Sequence, residues 1–412
     1  MQTNINLDTF IKSFVTNRQK SLLDSDFEKY KSELIARITN KSVLVIGGAG
    51  TIGSSYIKAI LKFKIKKLVV VDINENGLTE LVRDIRSSDG YNIPEEFITY
   101  PVNFGDRVFE KLFRKHGPFE IVANFAAHKH VRSEKDIFSI EAMIENNVLR
   151  ARKLLNLLLE FPPEHFFCVS TDKAANPVNI MGASKKLMEE LIMSYSDKLP
   201  IKTARFANVA FSNGSLPLGF LERLNKKQAW ACPLGIRRFF VSPQESGELC
   251  LMASIMGEPG DIFYPKLDEE KDMIPFDRIA IDLLHELGYE PDICKTEQEA
   301  RQKAKILREG GTTTKQPFAY PIYFFGSDTS GEKAFEEFFT EAEQRDEKKF
   351  IKLGVIKNSR KRAQNDINDI FNRLESLFNS KHTTKAQIVE TLKEYLPNFD
   401  HIETNKNLDN KM

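Results

Sequence analysis

Four consecutive side chains, Ser170, Thr171, Asp172 and Lys173, set two hydroxyls, a carboxylate and an amine side by side directly after the apolar run HFFCV. Hydroxyls can hold substrate oxygens, and a positioned carboxylate and amine can exchange protons with a carbon acid or a leaving group. Met181 and Lys185 follow four residues apart, so they share one face at the start of a helix-compatible segment. A buried lysine at that place can bind a ribose hydroxyl and lower neighbouring pKa values by its charge. Desolvated and next to the cationic Lys185, Lys173 would be neutral enough to act as a base. The alternative for the same residues is a plain loop, with Asp172 capping the next turn and Lys173 in solvent.

A second group of residues lies upstream. VLVIGGAGTIGS carries Gly47, Gly50 and Gly53 in G-x-x-G-x-x-G spacing, around Thr51 and Ile52, between a strand-like run and a helical stretch. Glycine permits the tight turn and lets backbone N–H groups and a helix N-terminus approach a pyrophosphate. Asp72 closes the next apolar run, KKLVVVDI, near the distance at which a carboxylate meets the adenosine ribose of a dinucleotide. A carboxylate there repels an added phosphate and favours NAD. Lys64, Lys66 and Lys67 leave NADP open, and capping of the next helix is the other role open to Asp72. Asn103 in NFGD, and Asn124, Ala126 and Ala127 in NFAA, stand where the third and fourth runs end, with small residues that let adenine and a nicotinamide ribose come close.

Such residues need a scaffold that delivers strand ends to one edge. SVLVIGG, KKLVVVDI, FITYPVNF, EIVANFAA, HFFCVSTD and IKTARFANV alternate with helix-compatible segments, as buried parallel strands do in βαβ units. The expected class is α/β, a Rossmann-type doubly wound parallel sheet of about six strands over residues 41–209. A helical N-terminal extension over 1–40, a smaller substrate domain over 210–291 and a mostly helical C-terminal extension over 292–412 complete the expected division. Within the last, the aromatics of FEEFF are expected to pack as a helix face on the core.

Composition narrows the function classes. With 59 Lys and Arg against 58 Asp and Glu among 412 residues, no global field draws in nucleic acid or an anionic membrane. Cys168, Cys232, Cys250 and Cys294 lie far apart without a CxxC pair, which predicts reduced thiols and no metal site. Neither a basic-then-apolar leader nor an apolar stretch of about 18 residues stands in the sequence, which predicts a soluble, cytoplasmic protein with no membrane span.

In order and spacing, STDKAANPVNIMGASK together with AAHKHV, NVL, RFANV, SNGS and RRFF resembles the polysaccharide-biosynthesis UDP-N-acetylglucosamine 4,6-dehydratase family of the extended short-chain dehydrogenase/reductase superfamily. The resemblance covers roughly residues 40–290. Met181 stands where most of the superfamily has tyrosine, a substitution that occurs within this family. A thioether exchanges no proton, so Met181 also fits a catalytically silent NAD-binding protein. An epimerase or reductase of the same superfamily would normally require the tyrosine.

The resemblance implies UDP-N-acetylglucosamine as substrate, NAD as cofactor and a homodimer or higher homo-oligomer. It implies oxidation at carbon 4, loss of the carbon 5 proton with expulsion of the 6-hydroxyl, and re-reduction at carbon 6. In that scheme Thr171 binds the 4-hydroxyl, Asp172 protonates the departing hydroxyl, Lys173 takes the carbon 5 proton, and Lys185 joins the relay that replaces the tyrosine. Lys129 and His130 are implied beside the sugar or nicotinamide, Asn208 and Ser212 in the substrate site with Asn208 near the first phosphate, and Arg238 on the pyrophosphate, where a guanidinium fork suits paired oxygens. Ala210 and Phe211 depart from the commoner pattern, which leaves the fit around the uridine and acetamido group open.

Overall fold

The computed structural model describes residues 5–130, 134–311, 318–326, 336–359 and 361–402. Six strands come first: β1 (Ser42–Ile46), β2 (Lys67–Asp72), β3 (Glu96–Pro101), β4 (Ile121–Asn124), β5 (His165–Val169) and β6 (Ile201–Ala204). The chain then leaves this sheet for β7 (Asn208–Val209), β8 (Trp230–Pro233) and β9 (Arg237–Val241), and returns with β10 (Ile262–Pro265). It leaves again for β11 (Met273–Pro275), β12 (Glu290–Cys294) and β13 (Ala319–Phe325), and returns through β14 (Arg345–Asp346) and β15 (Leu353–Ile356).

The main sheet has the order β14-β15-β10-β6-β5-β4-β1-β2-β3. From β3 to β10 every pairing is parallel, whereas β15 and β14 add antiparallel at the far edge. β1 and β5 are buried along their whole length, as strands covered by helices on both faces must be. This is the expected Rossmann-type sheet. Its strand order reverses between β1 and β4, and a crevice forms outside the carboxyl ends at that point.

Three of its strands come from segments where the sequence pattern suggested otherwise. β10 lies within 210–291, and β14 and β15 lie within the C-terminal segment expected to be mostly helical. That segment does form helices at 297–308, 364–379 and 385–395, but IFYP and LGVI are four-residue strands too short to show a period. The FEEFF expectation also fails where it can be examined: Glu336 to Phe339 are not helical, and Phe335 lies outside the described residues. Phe338 still reaches the core, its ring 5.5 Å from that of Phe239.

A smaller module joins β7, β9 and β11 in one sheet and β8, β13 and β12 in another. Residues 7–15 and 24–38 are helical, and Phe10, Ile11 and Val15 enter this module's core with Phe211, Phe220 and Trp230. Phe211 has a left-handed φ of 54°, a conformation that side chains seldom adopt, with its ring edge against Phe10 at 5.8 Å.

Arg205 fastens the C-terminal segment to the main sheet. Its side chain is 0% exposed and binds Glu189 at 2.5 and 3.0 Å, Glu343 at 2.8 and 2.9 Å, and the Phe338 carbonyl at 3.0 Å. Burial alone would raise the pKa of Glu189, but Arg205 and then Lys186 outweigh it and hold the group down to about 2 from an ordinary 4.5. That stabilisation is fully present above pH 4.5 and is lost as the pH falls toward 2. Arg205→Met should therefore cost about 3–5 kcal/mol, because two carboxylates lose their buried partner. Denaturant unfolding at pH 7 measures the loss, and the variant's stability should fall less steeply than the parent's below pH 4.5.

Candidate active site

Two cavities, of about 180 and 250 Å³, share Phe125 and Ala127 and run along the carboxyl edge of the sheet. The first is a cradle of backbone. Gly47 has φ +76°, and a Cβ on it would stand 2.5 Å from the Ala126 nitrogen; one on Gly53 would stand 2.2 Å from the Gly47 oxygen. Gly50 is the N-cap of helix Thr51–Ile60 and offers no side-chain cap, so the first backbone N–H groups are available to an anion. This close-walled turn beside a helix N-terminus fits a dinucleotide pyrophosphate.

Asp72 lines the cradle and ties it together, accepting the Ala49 N–H at 2.9 Å and the Asn74 N–H at 2.9 Å. The following helix is capped by Asn74, which excludes the capping role weighed for Asp72. Asn103, Ala126 and Ala127 line the same cavity. Asn124 does not: it is buried, accepts the Ala126 N–H at 3.0 Å and so shapes the turn from inside. Thr51 also works at one remove, accepting the Asn213 N–H at 2.9 Å and fastening the loop after β7.

The second cavity collects Ile52, Lys129, His130, Thr171, Asp172, Lys173, Met181, Lys185, Asn208 and Ser212, which the sequence scatters over more than half of residues 41–291. Thr171 donates to Asp172 at 2.7 Å, and Lys173 Nζ lies 3.2 Å from both oxygens of Asp172. Lys185 is buried and donates to the Val169 carbonyl at 2.6 Å. Met181 is buried as an apolar wall. Asn147, from the NVL motif, holds the loop after β4 by bonding His128 on both its N–H and its carbonyl, and it donates to Ser184 at 3.1 Å. Val131 of AAHKHV lies outside the described residues.

The electrostatics reverse one expectation. Burial lowers the pKa of Lys185, with Cys168 and Glu189 only partly opposing it. For Lys173 burial also acts downward, but Asp172 and then Glu336 outweigh it and raise the pKa. Lys173 is thus a resting ammonium, not the neutral amine expected from its proximity to Lys185. The neighbouring Asp172 acts most, and a carboxylate from far along the chain adds to it. Glu336 Oε1 lies 4.0 Å from Lys173 Nζ and 3.7 Å from Arg238 Nε, its Oε2 accepts the Phe239 N–H at 3.0 Å, and Asn208 donates to Oε1. Burial and then Asp172 push Glu336 up to about 7, against the pull of Lys173 and Arg238.

Arg238, expected on a pyrophosphate, is instead buried behind the cavity lining and bonds the Arg237 carbonyl at 2.8 Å. Glu134 is a further residue that sequence reasoning missed. It accepts the Met181 N–H at 3.1 Å and contacts His401 at 3.4 Å, while Asp400 and Ile402 pair by backbone with Pro177 and Val178.

The polysaccharide biosynthesis protein family matches residues 43–358 of the chain. A Methanocaldococcus jannaschii protein named an uncharacterized membrane protein is 31% identical over 61% of this chain and 74% of its own. The probable polysaccharide biosynthesis protein EpsC of Bacillus subtilis is 28% identical over 79% of this chain and 49% of its own, so the chain spans about half of that relative. A Campylobacter jejuni UDP-N-acetylglucosamine 4,6-dehydratase (inverting) is 27% identical over 56% of this chain and 68% of its own. Epimerases are related too: a UDP-glucose 4-epimerase of Rickettsia bellii is 30% identical over 55% of this chain and 66% of its own. In fold, the chain is similar to the structure of Pen from Bacillus thuringiensis, with a TM-score of 0.61, 20% identity and coverage of 82% and 98%. Among the described residues no helix is long and apolar enough to cross a membrane.

Gly53→Ala tests the cradle. Overpacking of this kind costs about 1–3 kcal/mol, which is roughly 5–150-fold in dinucleotide affinity where it falls on binding. Calorimetric titration measures it, with Gly326→Ala as the neutral control, since among the described residues no atom lies within 4 Å of a Cβ there.

Proposed function

The chain belongs to the polysaccharide biosynthesis protein family of extended short-chain dehydrogenases/reductases, enzymes of the nucleotide-sugar dehydratase/epimerase superfamily, and within it we propose a UDP-N-acetylglucosamine 4,6-dehydratase that uses NAD. The observation that carries this reading is the contact of Thr171, Asp172 and Lys173 with one another in a cavity that continues into the glycine cradle. Met181 favours it over an epimerase, because no phenol stands at the usual place of proton exchange.

Gly47, Gly50 and the N-terminus of the next helix would hold the pyrophosphate of NAD, and Asp72 the adenosine ribose. NAD bound there would supply the acceptor, and later the donor, of a hydride. The Thr171 hydroxyl holds the sugar's 4-hydroxyl, and the proton released on oxidation passes to Asp172, to which Thr171 already donates. A ketone at carbon 4 acidifies the proton on carbon 5. Lys173 removes that proton and Asp172 protonates the departing 6-hydroxyl. The proton from the 4-hydroxyl makes Asp172 the acid, and Lys173 becomes the amine base once its own ammonium proton has passed to a third group. Lys185 fixes the edge of the site through the Val169 carbonyl, and in this reading its amine would also meet the nicotinamide ribose.

Incubation of the pure protein with UDP-N-acetylglucosamine should give a sugar lighter by one water. Unchanged mass with a new epimer would replace this reading by an epimerase, and no conversion would leave a silent NAD-binding protein. Lys173→Met should lower turnover by about 10²–10⁴-fold while dinucleotide affinity stays within a factor of two or so. Calorimetry should show NAD binding more tightly than NADP, since Asp72 opposes a ribose phosphate; the reverse order would remove NAD from the proposal.

A further inference from the structure

Counting protons through the proposed reaction exposes a need that Asp172 and Lys173 alone do not meet. Two protons leave the sugar, from the 4-hydroxyl and from carbon 5. Two are given back, to the departing 6-hydroxyl and to carbon 5 when the hydride returns to carbon 6. Asp172 takes the first proton lost, so for Lys173 to be an amine when the carbon 5 proton leaves, its own ammonium proton must be stored on a third group until the last return. A store has to be a buried acceptor in reach of the pair, and it has to sit away from the sugar.

Glu336 meets these conditions. It is 7% exposed and its Oε1 is 4.0 Å from Lys173 Nζ. Lys173 lines the catalytic cavity, whereas Glu336 is absent from that lining and faces a cleft of about 690 Å³ on the other side, with Phe239, Tyr264, Lys266 and Arg345. Charged or donor groups face it from each element packed on it: Asp172 and Lys173 from the turn after β5, Asn208 from β7, and Arg238 with the Phe239 N–H from β9.

We propose that Glu336 is a positioning residue that stores a proton taken from Lys173, exchanges it with water through the outer cleft and returns it for delivery to carbon 5. The inference rests on the dehydratase reading. In the storage step an N–H bond of the Lys173 ammonium breaks and an O–H bond forms on Glu336, leaving a neutral amine and a carboxylic acid. The return reverses both, and no oxidant or reductant enters. Only the ionised carboxylate can accept, and its pKa lies near 7, so turnover should rise with pH through that region.

The test compares wild type with Glu336→Gln and Glu336→Asp in H₂O and D₂O, using UDP-N-acetylglucosamine and reading kcat, KM and the deuterium content of carbon 5 in the product. Wild type should show an acid limb near pH 7 and take up deuterium. In Glu336→Gln kcat should fall by about 10²-fold, KM should change little, the limb should vanish and deuterium per turnover should drop. Glu336→Asp should restore part of the rate with a displaced limb. An unchanged limb and unchanged deuterium content in Glu336→Gln would overturn the proposal. If Glu336→Gln fails to bind dinucleotide or to fold, Glu336→Asp decides: a displaced limb supports storage and an unmoved limb refutes it. A wild-type enzyme that removes no water would instead overturn the dehydratase reading, which keeps the two failures apart.

Discussion

Arg205 has no contact with water, and its guanidinium can persist there only with carboxylates on two sides. Glu189 comes from the helix that carries Met181 and Lys185, whereas Glu343 comes from the C-terminal segment. One buried cation therefore decides two positions at once. It fixes the helix behind the catalytic cavity, and it draws residues 338–343 across the sheet, seven residues or fewer beyond Glu336. The proposed acid and base chemistry at the edge would inherit its geometry from this ion network beneath it.

Much of the scaffold could be read from the sequence because its signals are local. SVLVIGG followed by a helical stretch is a strand, a turn and a helix within one short window, and the TDK triplet follows β5 without interruption. Other features depend on partners that no window contains. The sequence sets Lys173 near Lys185, a dozen residues on, but Lys185 points to the Val169 carbonyl while Asp172 and Glu336 surround Lys173. β14 and β15 are short strands that exist because β10 presents an open edge. Asn124 and Arg238 stand in ligand-like motifs, yet both bond backbone groups of their own loop or strand.

Met181 and Glu134 bear on how the site manages without a phenol. The Met181 side chain excludes water from the wall beside Lys185, and its backbone N–H is taken by Glu134. Lys185 therefore sits in an apolar setting that disfavours its charge, a condition opposite to that of Lys173. Two amines on one cavity thus differ in character: one is biased toward neutrality by desolvation, and the other is kept charged by carboxylates.

The backbone pairing of Asp400 and Ile402 with Pro177 and Val178 sets an order in time. During synthesis the glycine turn and the TDK loop leave the ribosome first, and Glu336 follows on the order of ten seconds later. For that interval the nascent chain can shape the cradle of the cofactor but lacks the carboxylate beside Lys173 and the strap over the loop. The residues that complete the site are thus translated well after the loop they complete, and a chain trimmed after β13 loses Glu336, the Glu343 partner of Arg205 and the strap over the loop together.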